Sequence, residues 1–186
     1  MTKTLLLFAS PNKEGHNATI LSELTRTLDE NKETYEVIDV FKEQVSPFGK
    51  SEKELAAFVQ RMQKKITESE RLIICTPVWW NALPSPLKAF FDLVFAAGFA
   101  FRYSKQGIPV KLLKGRTAHV ITTCGAPLFL SRTLQGNRAA KVLCRDTLGF
   151  CGYKVKRYQF GAARIITEDA ERVKKFARRT AKKILA

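Results

Sequence analysis

Histidine and cysteine are scarce in this sequence of 186 residues, which has two of the former and four of the latter. The cysteines form no CxxC pair and no histidine stands at zinc-ligand spacing from them, so we expect no metal site. Long apolar runs are also missing. The run at residues 5–8 is too short for a secretory leader, and no segment approaches the roughly 18 apolar residues of a membrane span. The sequence therefore predicts a cytoplasmic protein with reduced thiols and no membrane span.

Apolar residues are plentiful overall, at 45% of the chain. A chain of this length and composition buries enough surface to fold without disulfides or metals. No internal repeat or low-complexity linker divides it. We therefore expect one domain over residues 1–186.

Basic residues outnumber acidic residues by 32 to 17, which gives a formal net charge of +15. Such an excess raises the question of nucleic-acid binding. Six cations near the end of the chain fall on several faces of the predicted last helix, so they form no clean stripe. Because a basic surface also attracts small anionic molecules, we expect no nucleic-acid partner. The six are Lys174, Lys175, Arg178, Arg179, Lys182 and Lys183.

Buried runs of strand length alternate five times with amphipathic stretches of helical period. Ser51, followed by Glu54 three residues later, predicts a capping box at the start of the second helix. The predicted strands are residues 3–9, 35–41, 71–78, 116–123 and 153–160. The predicted helices are residues 16–31, 51–68, 84–97, 134–148 and 168–185.

This alternation predicts an α/β protein, in which a five-stranded parallel sheet lies between two layers of helices. Right-handed crossovers restrict the topology to a doubly wound, three-layer sandwich. Such sheets bind ligands outside the carboxyl ends of their strands, at the point where the strand order reverses. The loops after the first, third and fourth predicted strands are therefore the candidate site.

The loop after the first strand runs directly into a helix, whose first N–H groups and positive dipole end suit a phosphate. Ser10 and Thr19 add hydroxyl donors and Asn17 adds an amide, while Gly15 permits a turn that a Cβ would block. Ordinary helix caps use the same residue types. From the residues alone, a plain loop capped by Asn17 is therefore an equal alternative.

Two adjacent tryptophans, Trp79 and Trp80, follow the third strand. Neighbours on a strand point to opposite faces, so at least one of them should lie at the surface or against a ligand. The backbone N–H groups of residues 78–81 are suited to the edge of a heteroaromatic ring, whereas the alternative is a tryptophan that closes the core.

After the fourth strand, the small residues around Gly125 allow the backbone to approach a planar ligand, and Cys124 is interpreted as a packing residue rather than a nucleophile.

Residues 76–101, TPVWWNALPSPLKAFFDLVFAAGFAF, resemble the flavodoxin-like NAD(P)H:quinone reductases, or NAD(P)H-dependent FMN reductases. The shared features are two prolines around an aromatic segment, Leu-Lys before an aromatic pair with Asp, and Gly-Phe-Ala plus an aromatic. Residues 112–127, LLKGRTAHVITTCGAP, match the Leu-Leu-Lys-Gly, strand and Thr-Thr-x-Gly pattern of the same family. In the phosphate loop the family often has a serine where His16 or Asn17 stands.

The resemblance implies a flavodoxin-like fold with strand order 2-1-3-4-5 and a homodimer that binds FMN. FAD is less expected because the chain shows no extra segment for an adenosine. The implied activity is hydride transfer from NAD(P)H through the flavin to a quinone or similar planar acceptor, such as an azo dye or nitroaromatic, with no catalytic side chain. The alternative is an electron-transfer or regulatory flavoprotein without a dedicated small-molecule acceptor.

The same resemblance implies, by position, which residues hold the cofactor. Those at the phosphate are Ser10, His16, Asn17, Ala18 and Thr19. Those at the ring are Pro77, Val78, Trp79, Trp80, Asn81, Thr123, Cys124, Gly125 and Ala126.

Residues 90–101 contain more large apolar side chains than one helix face buries, and an exposed surplus of this kind predicts a dimer interface. These side chains are Phe90, Phe91, Leu93, Val94, Phe95, Phe99 and Phe101.

Overall fold

The computed structural model describes residues 4–43 and 51–186, so Lys3 of the predicted first strand lies outside the described residues. The strands are β1 Thr4–Phe8, β2 Tyr35–Asp39, β3 Arg71–Pro77, β4 Phe101–Tyr103, β5 Pro109–Lys111, β6 Thr117–Thr123 and β7 Lys154–Phe160. The α-helices are α1 His16–Glu30, α2 Glu52–Glu68, α3 Ser85–Val94, α4 Leu128–Arg132, α5 Arg138–Lys141 and α6 Ile166–Leu185, and a π-helical segment, Val142–Gly149, continues α5.

Five parallel strands form the main sheet in the order β2-β1-β3-β6-β7. Because β6 and β7 are the predicted fourth and fifth strands, the predicted order 2-1-3-4-5 is confirmed. The order reverses between β1 and β3, which are hydrogen-bonded neighbours with Leu6 opposite Ile73. The carboxyl ends of these two strands and of β6 therefore lie side by side at one edge.

Two layers of helices cover the sheet because successive strand residues point to opposite faces. On one face, Leu5 and Leu7 pack in a cluster with α2 and α3; on the other, Leu6 and Phe8 pack with α1 and α6. Burying a side chain of this size stabilises the fold by about 1.5–3 kcal/mol. Continuous apolar runs in the strands therefore reflect a sheet that is buried on both sides.

The capping box predicted for α2 is present. The Ser51 hydroxyl accepts a hydrogen bond from the Glu54 backbone N–H at 3.3 Å, and the Glu54 carboxylate accepts one from the Ser51 N–H at 2.9 Å. A cap of this type is worth about 1 kcal/mol.

The structure differs from the predicted secondary structure in one pair of strands that was not predicted and in one helix that begins late. The antiparallel pair β4–β5 was not predicted, since its strands have three residues each and show no periodicity. The helix predicted over residues 134–148 begins only at Arg138, because Gly136 and Asn137 have φ of +65° and +48° and interrupt the helical path.

The apolar segment at residues 90–101 does not leave the exposed surplus that was predicted. Phe90, Phe91, Val94 and Phe95 are buried in the core, and Leu93, Phe99 and Phe101 are partly buried against it. The helix and the turn after it thus bury these rings inside one chain, with edge-to-face contacts such as that between Phe90 and Phe91 at 5.7 Å. The premise that pointed to this segment as a dimer interface is therefore wrong.

Candidate functional site

The loops after β1, β3 and β6 meet at the carboxyl edge of the sheet, where Thr123 joins them. The Thr123 carbonyl accepts a hydrogen bond from the Val78 N–H at 2.8 Å, and its Oγ1 accepts one from Asn17 Nδ2 at 2.9 Å. Pro77, the last residue of β3, lies opposite Thr123 in the strand register. The structure therefore brings together the three loops that the sequence singled out.

The first turn of α1 offers backbone donors. The first helical hydrogen bond runs from the Thr19 N–H to the Gly15 carbonyl at 3.0 Å, and no side chain caps this end. Within the described residues, the N–H groups of His16, Asn17 and Ala18 therefore have no acceptor. Unpaired donors at a helix N-terminus, together with the helix dipole, favour an anion such as a phosphate.

The side chains expected to donate to that phosphate already have hydrogen-bond partners within the protein, so their contact with a phosphate stays a prediction. Asn17 is buried, donates to Thr123 and accepts from Cys75 Sγ at 3.3 Å. The Ser10 hydroxyl donates to the Asn12 carbonyl and the Thr19 hydroxyl to the Gly15 carbonyl, each at 3.4 Å. Because Asn17 faces the sheet, its amide needs partners there, and it serves to join the loops instead.

His16 has a partner that the sequence did not indicate. Its Nε2 atom lies 2.8 Å from Oδ2 of Asp169, in the first turn of α6. The same carboxylate accepts from the Arg164 N–H at 2.7 Å and from Arg172 at 2.6 Å. The backbone N–H of Arg164 contributes most to holding the pKa of Asp169 well below its ordinary value, and hydrogen bonds from the Arg172 and His16 side chains add to the effect. An acidic residue in a first helical turn has an ordinary explanation in the helix dipole, so no local signal separated Asp169 from a plain capping residue.

The two tryptophans lie at a tight turn. The Trp79 N–H donates to the Ala82 carbonyl at 3.1 Å and the Ala82 N–H to the Trp79 carbonyl at 2.8 Å, while Trp80 and Asn81 have φ of +49° and +60°. This is the geometry of a type I′ turn, which usually contains Asn and Gly. Trp80 is fully exposed and Trp79 is 42% exposed, so the prediction that at least one tryptophan lies at the surface is confirmed.

Half of the backbone donors expected in this loop are already used. The Val78 and Trp79 N–H groups donate to the Thr123 and Ala82 carbonyls. The N–H groups of Trp80 and Asn81 have no acceptor in the described part of the chain. The Asn81 side chain donates to the Gln135 carbonyl at 2.7 Å, which ties the turn to the segment after α4.

The loop after β6 presents two further donors. The Cys124 N–H donates to the Phe160 carbonyl at 3.0 Å, but those of Gly125 and Ala126 have no acceptor among residues 4–43 and 51–186. Cys124 is buried and its thiol donates to the Ala126 carbonyl at 3.4 Å, as expected for a packing residue. The exposed backbone at Gly125 leaves room for a flat molecule above the loop.

A cavity of about 770 Å³ lies elsewhere, along the edge strand β2 between α1 and α2. It reaches the candidate site at Ala18, in the first turn of α1. Three of its cations are already paired, among them Lys13 with Asp39 and Arg61 with Glu43, each at 2.6 Å. Paired surface charges of this kind indicate a structural groove rather than a reaction site.

The remaining titratable groups indicate structural roles. Burial raises the pKa of the Cys75 thiol, and it raises those of Cys144 and Cys151 to about 11. All four cysteines carry free thiols. The described residues contain no cluster of side chains that would hold a metal ion, and none of the described helices is long and apolar enough to cross a membrane.

Residues 2–184 match a family described as having a flavodoxin-like fold. This chain belongs to that family. The family assignment agrees with the resemblance inferred from residues 76–101 and 112–127 and with the strand order of the sheet.

Curated relatives are named as quinone reductases. The chain is 28% identical over 168 residues to the FMN-dependent NADH:quinone oxidoreductase of Clostridium perfringens, a match that covers 83% of this chain and 82% of the relative. It is 31% identical over 128 residues to human ribosyldihydronicotinamide dehydrogenase [quinone], covering 65% of this chain and 54% of the relative. With several relatives the match spans about half of the relative's length, for example 53% in Bradyrhizobium diazoefficiens.

Solved structures with the same fold cover almost the whole chain. Smu.1420 from Streptococcus mutans is 29% identical with a TM-score of 0.83, and the match covers 97% of this chain and 99% of that one. An FMN-dependent NADH-azoreductase of Bacillus anthracis, solved with FMN, is 21% identical with a TM-score of 0.77 over 98% of this chain and 99% of that one. At that identity the second likeness shows the fold alone.

Proposed function

We propose that this chain is an FMN-dependent oxidoreductase that takes hydride from NADH or NADPH and reduces a quinone or a similar planar acceptor, such as an azo compound or a nitroaromatic. The observation that carries the proposal is the meeting of three loops with unpaired backbone donors at the edge where this fold binds ligands. The names of the relatives from Clostridium perfringens and Bradyrhizobium diazoefficiens support the same cofactor and substrates.

The residues present fit FMN. The N–H groups of residues 16–18 would bind its phosphate, and those of Trp80, Asn81, Gly125 and Ala126 would bind the polar edge of its ring. The set of cofactor residues named from the sequence is retained. The Asn17 side chain and the main chain of Val78, Thr123 and Cys124 would hold the loops in place, while the Asn17 N–H would donate to the phosphate. FMN is proposed rather than FAD because the chain shows no extra segment for an adenosine.

Bound FMN would supply the hydride chemistry, accepting and then donating a hydride at its ring. The chain's own residues then have three tasks. Backbone N–H groups stabilise negative charge that develops at the ring edge. The fully exposed ring of Trp80, beside the half-exposed Trp79, would offer an apolar surface on which a planar substrate stacks. Main-chain hydrogen bonds at Thr123 keep these groups in register, and no acid–base side chain is required.

Steady-state kinetics tests the proposal. Purified protein should carry FMN, identified by absorption and by the mass of the released cofactor, and should oxidise NAD(P)H with a quinone. Because one surface serves both planar substrates, they must alternate, and double-reciprocal plots should give parallel lines. Protein that binds no flavin after reconstitution would contradict the cofactor assignment, whereas intersecting lines would contradict only the shared site.

We also propose that the chain is a one-domain cytoplasmic homodimer. Its free thiols suit a reducing compartment. Trp80, Phe129 and Leu134 are exposed large apolar residues, and the Asn81–Gln135 hydrogen bond holds their loops together. A patch of this kind favours contact with a second copy beside the candidate site. Light scattering on the FMN-loaded protein at micromolar concentration should give twice the chain mass, and a monomer mass would contradict the proposal.

A further inference from the structure

A groove of about 460 Å³ runs along the edge strand β7 and the helix α6, and all of its charged lining residues are basic. A second cavity of about 230 Å³ opens on the same strand and shares Arg132 and Arg157 with the first. We name the two together the basic groove. Its cationic residues are Arg132, Arg157, Arg172, Lys175, Arg179 and Lys183.

Four of these cations form a stripe on one face of α6. Arg172, Lys175, Arg179 and Lys183 follow one another at intervals of three, four and four residues, which places them above one another on a helix. The stripe is about 16 Å long, from the helical rise per residue. The sequence did not reveal this stripe. The six C-terminal cations considered there include Lys174, Arg178 and Lys182, which point elsewhere, and do not include Arg172.

Neighbouring carboxylates do not neutralise the stripe. Arg172 is paired with Asp169 at 2.6 Å. For the other five cations of the basic groove, the described residues provide no carboxylate within 4.0 Å and no hydrogen-bond acceptor. By contrast, Arg178 on another face of α6 pairs with Glu23 at 3.0 Å, and Lys174 pairs with Glu171 at 3.4 Å. Apart from the Arg172–Asp169 pair, these carboxylates pair with cations of α6 that point away from the groove.

Structural explanations cover only parts of this arrangement. Lys183 in the last turn of α6 stabilises the helix dipole, and Arg157 protects an edge strand from pairing with another chain. Neither reason applies to Lys175 and Arg179 in the middle of the helix. Like charges three and four residues apart repel one another, so the stripe destabilises α6 unless an anion lies against it.

We propose that the basic groove binds one strand of nucleic acid through its phosphates, independently of base sequence. The groove is concave and cationic on both walls, with the α6 stripe on one side and Arg132 and Arg157 on the other. A cationic groove of this kind follows the phosphates of a single strand. Its aromatic rings are already packed: Tyr158 stacks on His119 with centroids 6.0 Å apart, and Phe176 packs on Phe160 at 5.5 Å. They are therefore not available to stack on bases, so recognition rests on the backbone.

An anionic membrane fits the groove less well. Membrane-surface helices place a cationic face beside an exposed apolar one. In α6 the apolar residues Val173, Ala177 and Ile184 are buried against the rest of the protein. A concave groove also holds a strand better than a flat lipid surface.

Fluorescence anisotropy of a labelled 20-nucleotide oligo-dT with the full chain tests the proposal. Five unpaired cations predict a slope of about −3.5 in log affinity against log salt, so binding should weaken about a hundredfold between 50 and 200 mM NaCl. The triple variant Lys175→Glu, Arg179→Glu, Lys183→Glu should bind at least tenfold more weakly. Arg132→Gln with Arg157→Gln, which leaves α6 intact, should also weaken binding and reduce the slope.

The matched control is Lys53→Glu, Lys105→Glu, Lys114→Glu, which changes the net charge equally at exposed positions outside the basic groove. It should bind the oligonucleotide within about threefold of the parent at the same salt. An equal loss in control and groove variants would overturn the proposal, because net charge alone would then attract the strand. Absence of binding at 50 mM NaCl would overturn it as well, as would binding to phosphatidylserine vesicles that the oligonucleotide does not displace.

Discussion

The Nε2 atom of His16 lies 2.8 Å from the Oδ2 atom of Asp169, so the first residue of α1 is joined to the first turn of α6. Two helix N-termini therefore meet at the proposed phosphate site, and the carboxylate between them is held by three groups. This bond fixes the orientation of the His16 ring, because Nε2 is committed to Asp169. The other ring nitrogen, Nδ1, is left for solvent or ligand.

Replacing Asp169 with Asn should weaken FMN binding about tenfold, since a neutral amide makes weaker bonds to His16 and Arg172 than a carboxylate does. The dissociation constant would be measured by quenching of FMN fluorescence on the apoprotein. Glu171→Gln is the matched control, because Glu171 pairs with Lys174 at 3.4 Å and lies on the same helix. Equal affinities for the parent and Asp169→Asn would show that His16 needs no orientation by this carboxylate.

Substitutions of Trp80 are expected to affect the stability of the fold and the use of substrates in different ways. Its φ of +49° costs about 1 kcal/mol for a residue with a Cβ, and glycine removes that cost. We therefore expect Trp80→Gly to be as stable as the parent or more stable, and Trp80→Ala to be less stable than Trp80→Gly. Both variants lose the exposed ring and should weaken the use of nicotinamide and acceptor together.

Urea unfolding and steady-state kinetics on the same two variants check both parts. The comparison separates the backbone from the ring, because only the former differs between glycine and alanine. If Trp80→Gly proves less stable than Trp80→Ala, the turn is not strained in the way its dihedral angles indicate.

The Asn17–Thr123 hydrogen bond joins two of the three loops inside the protein. Asn17→Ala should lower the free energy of unfolding by about 1–3 kcal/mol, because it leaves Thr123 Oγ1 buried without its donor. Thr123→Val removes the other partner. Because the two side chains share one bond, the double variant should be less destabilised than the sum of the two single variants. Exact additivity would mean that the two side chains do not interact.

The parallel sheet was predictable because burial on both faces leaves a clear record in the sequence, whereas its strand order followed from the family resemblance. Runs such as residues 72–75 are apolar throughout, and the helices between them keep a strict period. The same rule placed the candidate loops at one edge. Short elements without a period were missed, as with β4 and β5, and so was the break at Asn137, where a single backbone angle decides the start of α5.

Details of the site depend on contacts that no local pattern records. His16 and Asp169 are 153 residues apart, and Asp169 alone is typical of a first helical turn. Asn17 was predicted as a donor to a phosphate, but the register of α1 on the sheet turns its amide toward Thr123. At least one of Trp79 and Trp80 was expected at the surface or against a ligand, but the sequence did not indicate the left-handed backbone of Trp80, which follows from the turn closed by Trp79 and Ala82.

The buried His119 is expected to make the free energy of unfolding depend on pH. The ring is buried in β6, with Nδ1 3.3 Å from the Tyr158 hydroxyl, and burial lowers the pKa of His119 to about 4, with Arg71 and Lys156 adding to the effect. As the pH falls below about 6.5, the unfolded chain takes up a proton at this histidine and the folded chain does not, so the free energy of unfolding decreases. The decrease is complete near pH 4 and amounts to about 2–3 kcal/mol.

His119→Asn keeps a polar partner for Tyr158 but does not titrate in this range. Urea unfolding of the parent and the variant at pH 7 and pH 4.5 should therefore show a smaller loss of stability in the variant. Carboxylates with lowered pKa, such as Asp169 and Glu23, destabilise the fold mainly below their unfolded values of 3.8 and 4.5, so they lie largely outside this window. If both proteins lose the same stability between the two pH values, His119 is protonated in the folded state and its burial does not control the acid limb.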